Sequence, residues 1–423
     1  MLAPWTGLEP LWFGVCGLWP CNARPTQRMN TTIGDCFMFK RTVIAASLVA
    51  ATLASAQSMA AVVGGGATLP EPLYNGKGAL AGILPAGFTY VGVGSGGGKT
   101  AFLFNNGGAV NQAGANVEYA GSDSVLSATE ISDYNADAAR GGAWGKLIQI
   151  PSVGTSVTIP YKKAGNTTLQ LSGAQLCAAF SGSATTWGQL LNTADNTPIT
   201  IVYRSGSSGT TELLTRFLND SCPTQFKVSS TFSSAKLSAV PATWKGVAGS
   251  GDVMTQVNAT DGSIGYISPD YVNPGNNAVV ARVSKNPVAA GTAPLPTAAN
   301  AQTALGTAVA PGTFADRVQP SKWVPTFGSA AGDRPVPTSG YPIVGYTNLL
   351  VGQCYKDAAD ATAVRGFLND LYSGSKSTLI TAHTFVNLPA TYAAEIKKVF
   401  LDNTYGDGLD INNSAVCNGI GRL

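Results

Sequence analysis

The chain has 423 residues, enough for a large core and two lobes or domains, and carries 26 basic against 23 acidic side chains. Charged residues make up only 12% of the chain, and 50 glycines mark many turns. A formal net charge of +3 excludes an extended nucleic-acid surface or a polybasic membrane patch.

Read from the amino end, Met38-Phe39-Lys40-Arg41 leads into an apolar run, Thr42 to Ala54, and then Ser58-Met59-Ala60. A short basic segment, a hydrophobic segment too short to span a bilayer and a small-x-small site describe a secretory signal over residues 38–60, cleaved after Ala60. Residues 1–37 lie upstream and read as an over-extended amino terminus. Residues 1–60 hold four basic and two acidic side chains, which leaves 22 against 21 in the mature chain. Of seven cysteines, Cys177, Cys222, Cys354 and Cys417 remain after cleavage. An even number in an exported chain favours disulfides, and four cysteines allow three connectivities. His383 is the only histidine and there is no CxxC, so no metal site and no cofactor are expected.

The mature part opens with Val62-Val63-Gly64-Gly65-Gly66, then Ala67-Thr68-Leu69-Pro70, where Thr68 is placed to cap a helix with prolines in its first turn. Phe88 to Val93 reads as a strand, followed by Gly94-Ser95-Gly96-Gly97-Gly98-Lys99-Thr100 and a helix. Gly98-Lys99-Thr100 is not a nucleotide P-loop, because Val93 stands where that motif needs glycine. A third strand from Val117 ends in Gly121-Ser122-Asp123, and Ser127-Ala128-Thr129-Glu130 forms a capping box for the next helix. Asp123 reads on spacing as a turn or cap residue. Lys146 to Pro151 and Thr155 to Pro160 read as two strands, and Leu169 to Phe180 as a helix containing Cys177.

Ile199 to Val202 is apolar and β-branched, Arg204-Ser205-Gly206-Ser207-Ser208-Gly209-Thr210 is a turn, and Leu213, Leu214, Phe217 and Leu218 follow at helical spacing. A strand, a loop and a helix result, with hydroxyls, backbone N–H groups and one guanidinium at the helix N-terminus. Such a terminus favours an anion, and Arg204 adds a planar fork that matches two oxygens. The alternative is an ordinary capped turn with Ser208 or Thr210 as N-cap and Arg204 in solvent. Beyond it come an irregular stretch over 226–247, a helix over 251–258 and a buried strand over 262–267. Residues 286–320, rich in Ala, Pro, Thr and Gly, read as a surface excursion with a helix near 297–305. A strand pair over 341–351 and helices over 359–373 and 390–400 close the chain. Strands alternating with helices imply α/β architecture with ligands gathered where strand ends meet helix N-termini.

Four loops thus stand together: Ala67-Thr68-Leu69-Pro70, Gly92 to Gly97, Gly121-Ser122-Asp123 and Arg204 to Thr210. Their order and content, with Gly262-Ser263-Ile264-Gly265-Tyr266 and Leu388-Pro389, resemble the phosphate-binding protein of the phosphate ABC importer, a type II periplasmic binding protein, and most closely its secreted DING-like branch. The likeness spans nearly the whole mature chain. It lacks the DING tetrapeptide at the mature start, and Gly206 stands where many relatives carry an acidic residue that pairs with the arginine, which leaves Arg204 less restrained. The resemblance implies two lobes on a hinge, 62–154 plus 341–423 and 155–340, with an interlobe ligand cleft. It further implies phosphate contacts from Thr68, Leu69, Ser95, Asp123, Arg204, Ser208, Gly209 and Thr210, and disulfides Cys177–Cys222 and Cys354–Cys417, one within each lobe. Inorganic phosphate is the implied ligand and an ABC permease the implied partner, for a monomer in the periplasm or outside the cell that spans no membrane.

In that setting Asp123 acquires a role. A carboxylate beside an anion repels it unless the ligand carries a proton to donate, which phosphate does and sulfate at neutral pH does not. The expected function is capture without catalysis. Two alternatives remain: a secreted phosphatase-like hydrolase, disfavoured by the absence of a G-x-S-x-G elbow, and a surface adhesin on the same fold.

Overall fold

A computed structural model describes residues 62–306, 308–325 and 336–423. The expected signal and over-extended amino terminus lie outside these residues.

The described residues begin with the glycine-rich strand β1 (Val62–Gly66), the single-turn helix α1 (Glu71–Asn75), β2 (Phe88–Gly92), α2 (Ser95–Leu103), β3 (Tyr119–Ser122), α3 (Ala128–Ala136) and β4 (Leu147–Ser156). The capping box on α3 forms: Glu130 N donates to Ser127 Oγ at 3.1 Å and Ser127 N to Glu130 Oε2 at 2.7 Å. The chain then passes through β5 (Tyr161–Lys162), α4 (Gly173–Ser181), β6 (Thr200–Arg204), α5 (Gly209–Ser221), β7 (Lys245–Val247), α6 (Ser250–Ala259) and β8 (Ser263–Gly265). Finally come α7 (Ala298–Leu305), β9 (Val344–Gly352), α8 (Ala358–Tyr372) and α9 (Ala390–Phe400).

Two sheets organise these elements. The first has the order β2-β1-β3-β9-β4, parallel among β2, β1 and β3, with β9 antiparallel to both β3 and β4. The second has the order β7-β6-β8-β5, parallel except for β5. In both, the parallel strands run directly into helices, so strand C-terminal ends and helix N-termini meet along one edge, where open α/β sheets collect ligands.

Several expectations change. The two strands expected across 146–160 are one ten-residue strand, β4, and the strand pair expected at 341–351 is the single strand β9, paired with β4 along its length. Pro151 does not break β4; Thr347 of β9 faces Val153 and Asn348 faces Pro151, so Ser152 is the extra residue of a bulge in β4 that accommodates the missing donor. The helix expected from Leu169 starts only at Gly173, after a short strand at Gln170–Ser172, because Ser172 caps it. The stretch over 286–320 is more than a surface excursion. Ala301, Ala304 and Leu305 of α7 are buried, Trp323 packs on Tyr392 and Phe400, and Gln149 Nε2 donates to the Pro320 carbonyl at 3.2 Å. This segment therefore reaches back onto the first sheet.

The α5 helix is positioned by its apolar stripe. Leu213, Leu214, Phe217 and Leu218 are buried, while Glu212 and Arg216 pair at 2.5 Å on the outer side. Cys177 and Cys222 form a disulfide that fastens the C-terminal end of α5 to α4, and Cys354 and Cys417 form the second, as the resemblance implies.

Candidate ligand-binding site

Three helices of nine residues or more begin at one place: α2 at Ser95, α5 at Gly209 and α6 at Ser250. Each follows a loop of small residues, Gly94-Ser95-Gly96, Ser208-Gly209 and Gly249-Ser250-Gly251, so the helix N-termini can approach one another. Their leading N–H groups have no partner within the helix, and their dipoles place positive potential at the junction.

Gly209 makes the approach possible. A Cβ there would stand 2.4 Å from Asp123 Cβ, closer than two carbons can pack. Ser95 bridges the gap: its Oγ accepts from Asp123 N at 3.1 Å and from Gly209 N at 3.0 Å. With both lone pairs engaged, the Ser95 hydroxyl keeps only a proton to offer. Ser208 caps α5, its Oγ accepting from Thr211 N at 3.4 Å, and its hydroxyl proton is likewise free to donate.

Arg204 ends β6 and is 2% exposed, not in solvent. Its Nε donates to the Ala248 carbonyl at 2.6 Å and its Nη1 to Thr68 Oγ1 at 2.8 Å, while its backbone N donates to Tyr266 Oη at 2.9 Å. Among the described residues nothing stands within 4 Å of a Cβ placed at Gly206. The restraint expected from an acidic residue there is supplied instead by Ala248 and Thr68. Burial lowers the guanidinium pKa, with Tyr266 and Asp123 opposing the shift.

Thr68 does not cap α1; Pro70 occupies the cap position. Its hydroxyl accepts from Arg204 and lies 3.0 Å from Ser250 Oγ. Leu69, beside it, is fully buried.

Asp123 lies in the loop after β3 and is 1% exposed. Thr347 Oγ1 donates to its Oδ1 at 2.6 Å, but among the described residues its Oδ2 has no partner, and neither has the buried Thr210 Oγ1. Burial pushes the Asp123 carboxyl up to about 7, opposed by the Thr347 hydrogen bond and the charge of Arg204. A buried carboxylate oxygen and a buried hydroxyl left open at a junction of helix N-termini call for a small ligand that both donates and accepts.

Thus Thr68, Leu69, Ser95, Asp123, Arg204, Ser208, Gly209 and Thr210, scattered over 143 positions of sequence, fall at one junction between the two sheets. Sequence reasoning missed Ser250, Thr347 and Tyr266, which support Thr68, Asp123 and Arg204 in turn. For Ser250 a signal existed: Gly249-Ser250-Gly251 repeats the Gly94-Ser95-Gly96 pattern. Thr347 sits inside an apolar strand and gave none. Among the described residues no group of three or more His, Cys, Asp or Glu could hold a metal ion.

An α/β frame of two sheets with a buried polar junction between strand ends is the build of a solute-binding protein. Residues 51–374 match the family described as PBP superfamily domain, and the chain belongs to that superfamily. It is 53% identical over 389 residues to Alkaline phosphatase L of Pseudomonas aeruginosa strain PAO1, covering 91% of this chain and all of that protein. It is 44% identical over 383 residues to a phosphate-binding protein from an unknown prokaryotic organism, covering 85% and 99%. Among solved structures it resembles a high-affinity periplasmic phosphate-binding protein, PfluDING, bound with phosphate at pH 8.5. The TM-score is 0.78 at 47% identity, covering 86% of this chain and 99% of that one.

Proposed function

We propose that the chain is a secreted or periplasmic solute-binding protein that captures inorganic phosphate between two lobes, residues 62–154 plus 341–423 and residues 155–340, with residues 298–323 reaching back onto the first sheet. Thr68, Leu69, Ser95, Asp123, Arg204, Ser208, Gly209 and Thr210 form the contact set. One observation carries the reading: the unpartnered Asp123 Oδ2 among hydroxyl and N–H donors and a single guanidinium. The donors suit the phosphate oxygens, and the lone acceptor suits a ligand that brings a proton. The phosphate bound to a relative of 47% identity supports the same ligand. The monomer would deliver phosphate to an ABC permease.

The proposed act is capture without turnover. The name Alkaline phosphatase L belongs to the relative. In this chain the Nε2 of His383 lies 3.0 Å from the Ala81 carbonyl oxygen, so the one histidine is engaged away from Ser95 and Ser208. Among the described residues neither serine hydroxyl is hydrogen-bonded to a carboxylate or imidazole; Ser95 Oγ is committed as acceptor to two backbone N–H groups and Ser208 Oγ to Thr211 N.

Calorimetric titration of the purified mature chain with phosphate and then sulfate tests this. Saturable 1:1 binding of phosphate with sulfate far weaker is expected, alongside no release of phosphate from an aryl phosphate monoester. Absence of a phosphate isotherm refutes the proposal.

A further inference from the structure

A short hairpin, Gly76–Lys77 paired with Leu80–Ala81, projects from the end of α1. Its base is fixed on the first-sheet side, where His383 meets the Ala81 carbonyl. Its other strand crosses to the second-sheet side. Lys77 Nζ donates to the backbone carbonyl of Asp270 and lies 4.6 Å from the centroid of the Tyr271 ring. Tyr271 in turn donates its hydroxyl to the Thr68 carbonyl at 3.4 Å, and Thr68 is the residue whose hydroxyl accepts from Arg204. Asp270 is held by Ser268, whose Oγ donates to Oδ1 at 2.6 Å.

Lys77, Asp270, Tyr271, Ser268 and His383 lie outside the proposed contact set, yet together they join the two halves of the frame at the rim of the site. We propose that Lys77 is a positioning residue: a latch that ties the hairpin to Asp270 and Tyr271, keeps the Thr68 loop seated on Arg204, and sets how long phosphate stays bound. The assignment rests on the phosphate reading of the site. The physics favours a latch over a mere surface contact, because an ammonium that bonds a carbonyl and lies over an aromatic face gains from both at once, in the closed arrangement only. When the halves part, Lys77 returns to water and loses both partners. The barrier to release then contains the latch, whereas the encounter of phosphate with an open cleft does not.

The test is the rate of phosphate exchange in the full mature chain. Lys77→Met keeps the aliphatic stem and removes the charge; Lys77→Arg keeps the charge and the stacking. Chase of bound radiolabelled phosphate with excess unlabelled phosphate gives koff, and stopped-flow mixing gives kon. The expected result for Lys77→Met is a koff raised about three- to tenfold with kon within about twofold of the parent, restored toward the parent by Lys77→Arg. The ligand-free melting temperature should stay unchanged, since a purely structural contact would lower it. An unchanged koff for Lys77→Met, an equal loss in kon, or a lowered ligand-free melting temperature overturns the latch while leaving the phosphate site standing. A parent chain that binds no phosphate overturns both.

Discussion

Asp123 makes the sharpest prediction, because two of its properties point the same way. Its Oδ2 is an open acceptor, and burial has raised its pKa to about 7 from an ordinary 3.8. Below about pH 7 the neutral form is favoured in the ligand-free protein; above it the carboxylate ionises. A protonated phosphate supplies the hydrogen that Oδ2 needs, so its affinity should be nearly flat over about pH 7.5 to 9. Sulfate brings no proton, so Asp123 must first acquire one. Each pH unit above 7 then adds about 1.4 kcal/mol to the cost of binding sulfate, and about 2.7 kcal/mol at pH 9, roughly a hundredfold in affinity. Substituting Asp123→Asn puts an amide N–H where the proton would sit. The variant should bind sulfate with no such slope and show a narrowed preference for phosphate. Calorimetric titrations with both anions across this range, on parent and variant, are the assay. Parallel slopes for the two anions in the parent, or an unchanged ratio of affinities in the variant, would refute the argument.

Three further outcomes follow from the same geometry. Because the folded pKa of Asp123 lies above its unfolded value, its contribution to stability is present below about pH 3.8 and lost as pH rises through about 7; ligand-free Asp123→Asn should therefore melt above the parent at pH 8 and level with it at pH 4 by calorimetry. Arg204→Ala removes a buried donor that also holds Thr68 at 2.8 Å, and should weaken phosphate binding by about 1.5–3 kcal/mol by titration. Gly209→Ala suits helix propensity yet drives a Cβ within 2.4 Å of Asp123 Cβ, so it should weaken phosphate binding by about 1–3 kcal/mol while circular dichroism stays unchanged.

How far the sequence discloses such a site depends on where the information resides. Glycine and serine flanked by a β-branched run and a helical stripe announce a strand, a loop and a helix locally, so the loops holding Ser95, Ser208 and Gly209 are legible from their own neighbours, while Ser95 as a ligand contact comes only with the resemblance. Arg204 was legible only as a choice, since a guanidinium after a strand could equally face solvent. What buries it is the Ala248 carbonyl and Thr68, 44 and 136 positions away, and no local pattern reports those. Asp123 needed the resemblance as well, because a turn aspartate and a specificity aspartate look alike until Thr347, 224 positions on, takes one of its oxygens and leaves the other open. The fold errors have the same origin. Pro151 and Gly154 fall between or at the ends of the two strands expected across 146–160, but the long antiparallel pairing of β4 with β9 runs through them, with Ser152 left as a bulge. Thr347 is thus the point where the irregularity in the sheet and the orientation of the specificity carboxylate coincide. On its other side β9 keeps its register with β3, Asn348 facing Ser122, which brings Thr347 level with Asp123; without that donor the carboxyl would climb further in pKa and lose its discrimination at neutral pH.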